Sequence, residues 1–549
     1  MRFVMRLPVR LVVLWMLSWT MACNQTPFQM EIVPTFGQSF ADLDVLSFQI
    51  TGPALKKAES DTPLAFDASV QSGKVENPGI VLDAEAKEKW LRVQAIGLNA
   101  NSNVQAFGAG RFDFPNANPS VFRILLSRTD SFGWLTRMDG AQNGRSTLIS
   151  KIVGHQSMAL PDGRVLLIGG VTQFTEDNAL VTLEAREHLL KRVMIYNPND
   201  GSFTTSAQEF ANPRAFHSAS WLDANRILVV GGIGVIGTSS GFQVQSLGSA
   251  EIVDVSNPNS IRIIAAPDQP KRARAFHRAV TLSDSSVLFV GGVANPLLGS
   301  DGTARQGQEV LFLEMFDRSS EKFIEVASVS PDPKIGRVWH RATAFSDDTV
   351  LVTGGLRIDE NGKRKTADEH LLLKRSGTSW NLSVIEVESA GGRKRFDHTA
   401  TLAKDGDSEW VIVAGGRYIE TNAMLRPLEI WDKQGKLVTG TTNLTETRYG
   451  HGAIWVPEQK EVLLGGGLST SSGGLKPVFQ GESVKIPSFA VESRPQIQEK
   501  SGRYRCEPVR VDADGRSFWL GGANSVGESG RVFVGLDTGE IYTPRVNAP

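Results

Sequence analysis

The chain has 549 residues, with 58 Lys+Arg against 59 Asp+Glu and a formal net charge of −1. That balance excludes the strongly basic face of a nucleic-acid binder, and two cysteines exclude a disulfide-rich scaffold. An apolar share of 41% is enough to bury a core, and 54 glycines favour many short strands joined by turns.

In chain order, Arg2, Arg6 and Arg10 precede a short apolar run from Leu11 to Leu17, then Ala22 and Cys23. A basic start, a brief apolar stretch and a small residue before the cut predict a secretory signal over 1–22. The cysteine just after that stretch resembles the lipobox of bacterial lipoproteins, with Thr20 where that family usually has Leu. The resemblance implies that Cys23 becomes the lipid-bearing mature N-terminus and that a membrane is one partner. Asn24 is not the aspartate that retains many lipoproteins in the inner membrane, which points to an outer-membrane or cell-surface address. Plain secretion after an Ala-x-Ala-like site is the alternative.

Residues 23–128 alternate in short runs such as VLSFQIT, KWLRVQAIGL and VFRILLS, punctuated by Gly, Asn and Pro. Six or seven strands in about 100 residues predict a small β-sandwich, immunoglobulin-like in outline, without the Cys-Trp-Cys hallmark. Residues 129–153 are expected to be a linker that carries a strand into the repeat region.

From residue 154 one unit recurs: Arg-x-x-His, an alternating strand, a turn, a β-branched run and Gly-Gly. It reads Arg214-Ala-Phe-His217, Arg274-Ala-Phe-His277, Arg337-Val-Trp-His340, Arg395-Phe-Asp-His398 and Arg448-Tyr-Gly-His451. A first copy has His155 without the arginine. The His-to-Gly spacing is 14 in five of these six units and 17 in the fifth. A variable loop and a third apolar run come after each Gly-Gly, as in Ala250-Glu-Ile-Val253 and Leu428-Glu-Ile-Trp431. Four short strands per unit, units that cannot bury their faces alone, and repetition together predict an all-β propeller over 154–549. A worn seventh copy begins at Tyr504, with Glu507 read at the histidine position. Seven blades are expected over six, the ring being completed by a strand from the other end of the chain.

The pattern resembles kelch repeats of the galactose-oxidase-like type. That resemblance strengthens the fold and says little about function, because propellers host many activities. Galactose oxidase relatives use copper with two tyrosines, two histidines and a cysteine-modified tyrosine. This chain has five tyrosines, and no matched ligand set can be traced around Tyr504 and Cys506. No sialidase Ser-x-Asp-x-Gly-x-x-Trp box is present. Gly232-Ile-Gly234-Val-Ile-Gly237 matches the dinucleotide fingerprint, but the TSSGFQVQSLGS segment after it has no helical period to present an N-terminus to phosphate.

The repeated histidines fit inter-blade structure better than a metal, since a repeat fold needs the same fix in every blade. Each is expected to bond backbone of the next blade, with its Arg as glue. The Gly-Gly pairs are expected to make tight turns and allow close backbone approach. Cys506 is expected to be buried and inert.

The expected function is a non-enzymatic binding or scaffold module, monomeric, without metal or other cofactor, that presents loops to a protein or glycan. The long Gly-Gly loops at 171–191, 233–249, 293–309, 356–369 and 467–482 define the expected binding face. The alternative is a sugar-acting enzyme, an epimerase, mutarotase or galactose-oxidase-like protein, with its site at the channel mouth. A non-repeated cluster of acid, base and arginine at positions that break the consensus would favour it.

Overall fold

The computed structural model describes residues 11–13, 29–53, 64–69, 90–113, 121–137 and 144–546. Within the last span, 178–179, 184–185, 239–240, 258, 295–307, 359–362, 378, 389–391, 440–441, 472–473, 501, 513–514 and 527–531 are left out. Cys23 lies outside the described residues, as does most of the 1–22 segment.

The N-terminal domain is all β. Its strands lie in the spatial order Leu11–Val13, Gln29–Pro34, Val121–Arg128, Val104–Asp113, Trp90–Leu98, Val45–Thr51, Leu64–Ser69. Gln29–Pro34 runs parallel to Val121–Arg128, and the other pairs are antiparallel. Val121–Arg128 changes partner along its length, pairing first with 29–34 and then with 106–107. That one strand thus joins the two runs of pairing into a single seven-stranded order. Period-two alternation sends Leu91, Val93 and Ala95 inward.

Seven four-stranded blades come next. The first is Gln156–Ala159, Val165–Ile168, Val193–Asn197 and Ser202–Thr205, ordered from the channel outward. The next five begin with the inner strands Ser218–Trp221, Arg278–Thr281, Arg341–Ala344, Thr399–Asp405 and Gly452–Val456. The seventh takes Val509–Arg510, Ser517–Leu520 and Val532–Thr543 from the C-terminal end, and its outer strand is Ser131–Trp134. The segment read as a linker is thus woven into the ring, and Thr147–Ile152 also pairs with Val532–Thr543.

The second strand of a blade faces neighbours on both sides, which is why VLLI, VLFV, VLVT and SFWL are fully buried. An apolar cluster fills each seam. Leu166 and Ile168 meet Ile227 and Val229 between the first two blades, and Leu167 and Tyr196 meet Phe518 and Leu520 between the last and the first.

The loops after Gly-Gly are not irregular. They form paired hairpins: Gln173–Asp177 with Leu180–Thr182, Ile233–Thr238 with Gly241–Ser246, Leu356–Ile358 with Arg364–Thr366, and Leu468–Ser471 with Gly474–Pro477. The dinucleotide-like glycines therefore sit in a hairpin strand with no helix after them.

Candidate functional site

The repeat motif builds the seams. The second glycine of a blade donates its N–H to the carbonyl of the next blade's arginine, as in Gly170 to Arg214 at 2.7 Å and Gly292 to Arg337 at 2.8 Å. Both glycines have positive φ. A Cβ on Gly232 would stand 2.8 Å from Cβ of its own blade's His217, and one on Gly291 would stand 2.8 Å from Cε1 of the next blade's His340. The glycines are therefore required by close approach, as expected.

The roles of Arg and His differ from expectation. Three of the six imidazoles reach hydroxyls of the preceding blade: His277 to Ser218 (2.9 Å), His398 to Thr353 (2.8 Å) and His451 to Thr399 (2.9 Å). The arginine side chain stays within its own blade, and only its carbonyl bridges a seam. Arg214, Arg274, Arg337, Arg395, Arg448 and Arg503 pair with Glu251, Glu314, Glu369, Glu429, Glu482 and Glu540 on the third strand. The recurring Glu was visible in the third apolar run and marks this partnership. In the first blade Ile152 and Met194 take the two positions and share one apolar cluster.

Burial drives every motif imidazole below its ordinary range, His155 to about 4. Among the described residues no His, Cys, Asp and Glu converge as a metal-binding group.

The seventh blade corrects the expected register. Arg503 carries the arginine role, bonding Gly521 O at 2.8 Å, and Cys506 occupies the histidine position, its Sγ 3.5 Å from Leu520 O. Cys506 is buried, and burial pushes its thiol up to about 12. Glu507 falls one residue later, at the position where the other blades begin their inner strands and two residues before Val509–Arg510.

That shift aligns two rings of channel-facing residues. The residue before each motif His or Cys is left-handed: Gly154, Phe216, Phe276, Trp339, Asp397, Gly450 and Arg505, with φ between 53° and 65°. Their backbones link blade to blade, Phe216 N to Gly154 O, Asp397 N to Trp339 O and Arg505 N to Gly450 O among them. Left-handed backbone at non-glycine residues is costly and holds only where surroundings fix it. Here it turns three aromatic rings, one acid and one arginine toward the axis. Phe276 and Trp339 are 4.6 Å apart, and the Arg505 guanidinium lies 3.4 Å over Trp339.

Arg505 Nη2 bonds Asp397 (3.1 Å) and Glu176 (3.0 Å), and Arg417 Nη2 bonds Glu176 (2.9 Å) and Asp397 (3.3 Å). The Tyr504 hydroxyl stands 3.1 Å from Glu176. Glu176 arrives on the first blade's Gly-Gly hairpin, so that hairpin plugs the channel. Phe174, Val181, Val244 and Phe533 seal the same end. The second ring has Gln156, Arg278, Arg341 and Glu507, with both arginine Nη1 atoms 2.9 Å from Glu507 Oε1. Arg505 and Arg417 hold Asp397 below the usual carboxylate range, and Arg278 and Arg341 do the same to Glu507, each against the opposing effect of burial. These residues break the repeat consensus, which was the signal available in the sequence.

A copper centre of the galactose oxidase kind does not fit these side chains. The Tyr504 hydroxyl is taken by carboxylates, the Cys506 sulfur faces a backbone carbonyl, and the motif histidines are locked in the seams.

The fold and site define a seven-bladed β-propeller built from Arg-x-x-His and Gly-Gly repeats, with a small β domain before it. No protein-family profile matches the chain. It is similar to the dynein alpha chain of the flagellar outer arm of Chlamydomonas reinhardtii, 26% identical over 214 residues, covering 37% of this chain and 4% of that protein. The match thus spans a small fraction of that relative's length. The solved structure of YjhT aligns with a TM-score of 0.43 and 16% identity, covering 63% of this chain and 99% of that one. A fungal alcohol oxidase of the AA5 family, in complex with copper, aligns with a TM-score of 0.49 and 13% identity, covering 73% and 76%. The propeller assignment rests on the strand ladders themselves.

Proposed function

We propose that the chain is a non-enzymatic binding module, an exported propeller anchored to the cell envelope through Cys23, that presents its Gly-Gly hairpins to a protein or glycan. The observation that supports it is the platform those hairpins build: paired strands over a channel end sealed by Phe174, Val181 and Phe533. Rigid ladders give such a surface fixed shape, which lowers the entropic cost of docking. Shortening Ile233–Thr238 with Gly241–Ser246, and Leu468–Ser471 with Gly474–Pro477, to Gly-Ser turns tests it. Folding is expected to survive while capture on a glycan array or by cross-linking in envelope fractions is lost. Capture unchanged in both variants defeats the reading. Fatty-acid labelling that is abolished in Cys23→Ser tests the anchor.

A second reading, a sugar-acting enzyme at the opposite mouth, is favoured by Arg278, Arg341 and Glu507 facing the channel. Anomer or epimer interconversion followed by NMR, lost in Glu507→Gln, would support it over the first.

A further inference from the structure

Between the two axial rings lies a cavity of about 60 Å³, lined by Trp339, Asp397 and Arg505 on one side and by Arg278, Arg341 and Glu507 on the other. Its arginines are fixed in orientation. Arg278 Nε donates to His340 O at 3.2 Å, and Arg341 Nε donates to His398 O at 3.0 Å. Each spends Nη1 on Glu507, while neither Nη2 bonds any described residue. The two side chains keep 24% and 23% of their surface open to the channel. Above them Arg505 is 8% exposed, yet its Nη1 is buried with no partner.

The charges do not cancel. Arg278, Arg341, Arg417 and Arg505 face only Glu176, Asp397 and Glu507. Burial first, and the neighbouring Arg278 charge second, lower Arg341 to about 10 despite its bond to Glu507. A recess of about 170 Å³, lined by Thr399, Thr401 and Gly452, continues from Arg341 and Glu507 along the inner strands toward the short hairpins that join each blade's first and second strands, such as 160–164.

We propose that this channel is an oxyanion-binding site, entered from the short-hairpin end, that seats the compact head of a small ligand against Arg278, Arg341 and Arg505. The shared chemistry is a carboxylate, phosphate or sulfate group. Arg278 and Arg341 each offer their Nη2 donors to such a head, and charge-assisted bonds are strengthened where water is scarce. Glu507 orients the two arginines and, as a like charge beside the ligand, keeps affinity modest. The site lies at the end opposite the hairpin platform and does not depend on what docks there.

The test is calorimetric titration of the full chain with sodium phosphate, sodium sulfate and sodium glucuronate, each at one ionic strength set with chloride. At least one is expected to bind saturably. Removing one charged donor in Arg278→Gln or Arg341→Gln should weaken binding about tenfold or more, while Arg192→Gln on the exposed surface leaves it unchanged. Glu507→Gln should tighten it about tenfold, which keeps the idea testable if the arginine variants unfold. Preference for phosphate or sulfate assigns an inorganic-type head, and preference for glucuronate an acidic sugar. No saturation with any of the three, or a folded Glu507→Gln protein with unchanged affinity, overturns the proposal. Hairpin shortening leaves this binding intact, so its failure and that of the platform reading are separable.

Discussion

His451 Nε2 and Thr399 Oγ1 share a 2.9 Å hydrogen bond across the seam between the fifth and sixth blades, both side chains being buried. His451→Ala removes one partner and leaves the hydroxyl unpaired, which costs about 1–3 kcal/mol. Thr399→Val should cost a similar amount, and the double variant less than the two together, because the interaction is lost only once. Urea unfolding of the three variants measures the coupling. Metal content of the purified protein should not change; stoichiometric zinc lost on His451→Ala would point away from a seam role.

Acid should destabilise the fold before the carboxylates titrate. Six seam imidazoles have folded pKa values depressed below 6.5. Below pH 6.5 the unfolded chain takes up protons that the folded chain refuses, so stability is present above that pH and lost as pH falls. Each such proton is worth about 1.4 kcal/mol per pH unit. Glu309, raised by burial to about 7, acts in the opposite sense but is a single group. The urea midpoint should therefore fall steeply between pH 6.5 and about 5. A flat profile there would mean that the imidazoles are not buried neutral.

Gly415 and Gly466 separate backbone strain from close contact across a seam. Both are left-handed, at φ 64° and 70°. A Cβ on Gly415 would stand 2.4 Å from Arg448 O and 2.6 Å from His451 Cε1, whereas one on Gly466, facing the blade that carries Cys506, would stand 2.8 Å from Arg503 O and 3.1 Å from Arg503 Cβ. Gly415→Ala should thus be the more damaging substitution, by about 1 kcal/mol or more. Equal melting points for the two would show that φ alone sets the cost.

Repetition made the propeller legible: His155, His217 and their counterparts mark the seams at near-constant spacing, and Gly-Gly marks the turn. The seventh copy was misread because Cys506 replaces the histidine and lies 15 residues from Gly521 where most copies have 14. The left-handed ring was hidden because Phe216, Phe276, Trp339 and Arg505 are residue types that seldom adopt positive φ, and only the seam geometry imposes it. Glu176 could not be placed at all, since it reaches the axis on a hairpin more than 200 residues from Asp397 in sequence. Long-range closure of this kind leaves no local pattern to read.

Ring closure depends on the segment that looked like a linker. Phe132 packs edge-on to Trp519 at 5.4 Å and against Tyr542 at 5.1 Å, within the seam between the sixth and seventh blades. Phe132→Ala should cost about 3–5 kcal/mol, as for other buried aromatic truncations. A fragment of residues 154–549 lacks the outer strand of the last blade and should be aggregation-prone, whereas 129–549 should fold. Cooperative melting of the shorter fragment at the full-chain temperature would exclude this closure.

The buried arginine–glutamate pairs should be coupled liabilities. Arg274 and Glu314 are 2.9 Å apart with almost no solvent exposure. Removing either partner strands a charge, so Arg274→Ile and Glu314→Met should each cost about 3–5 kcal/mol. The first blade shows what replaces the pair: Ile152 and Met194, joined in one apolar cluster. The double variant Arg274→Ile with Glu314→Met should therefore regain much of the loss, because no buried charge is left unpaired. Full recovery is not expected. Glu314 also accepts the Lys271 N–H at 2.5 Å, and Arg274 also braces Gly291 O at 3.4 Å, and methionine and isoleucine offer neither contact. Equilibrium unfolding of the two single variants and the double gives the coupling directly. Additive losses would show that the two charges act independently and that the first blade's apolar pair is no substitute for them.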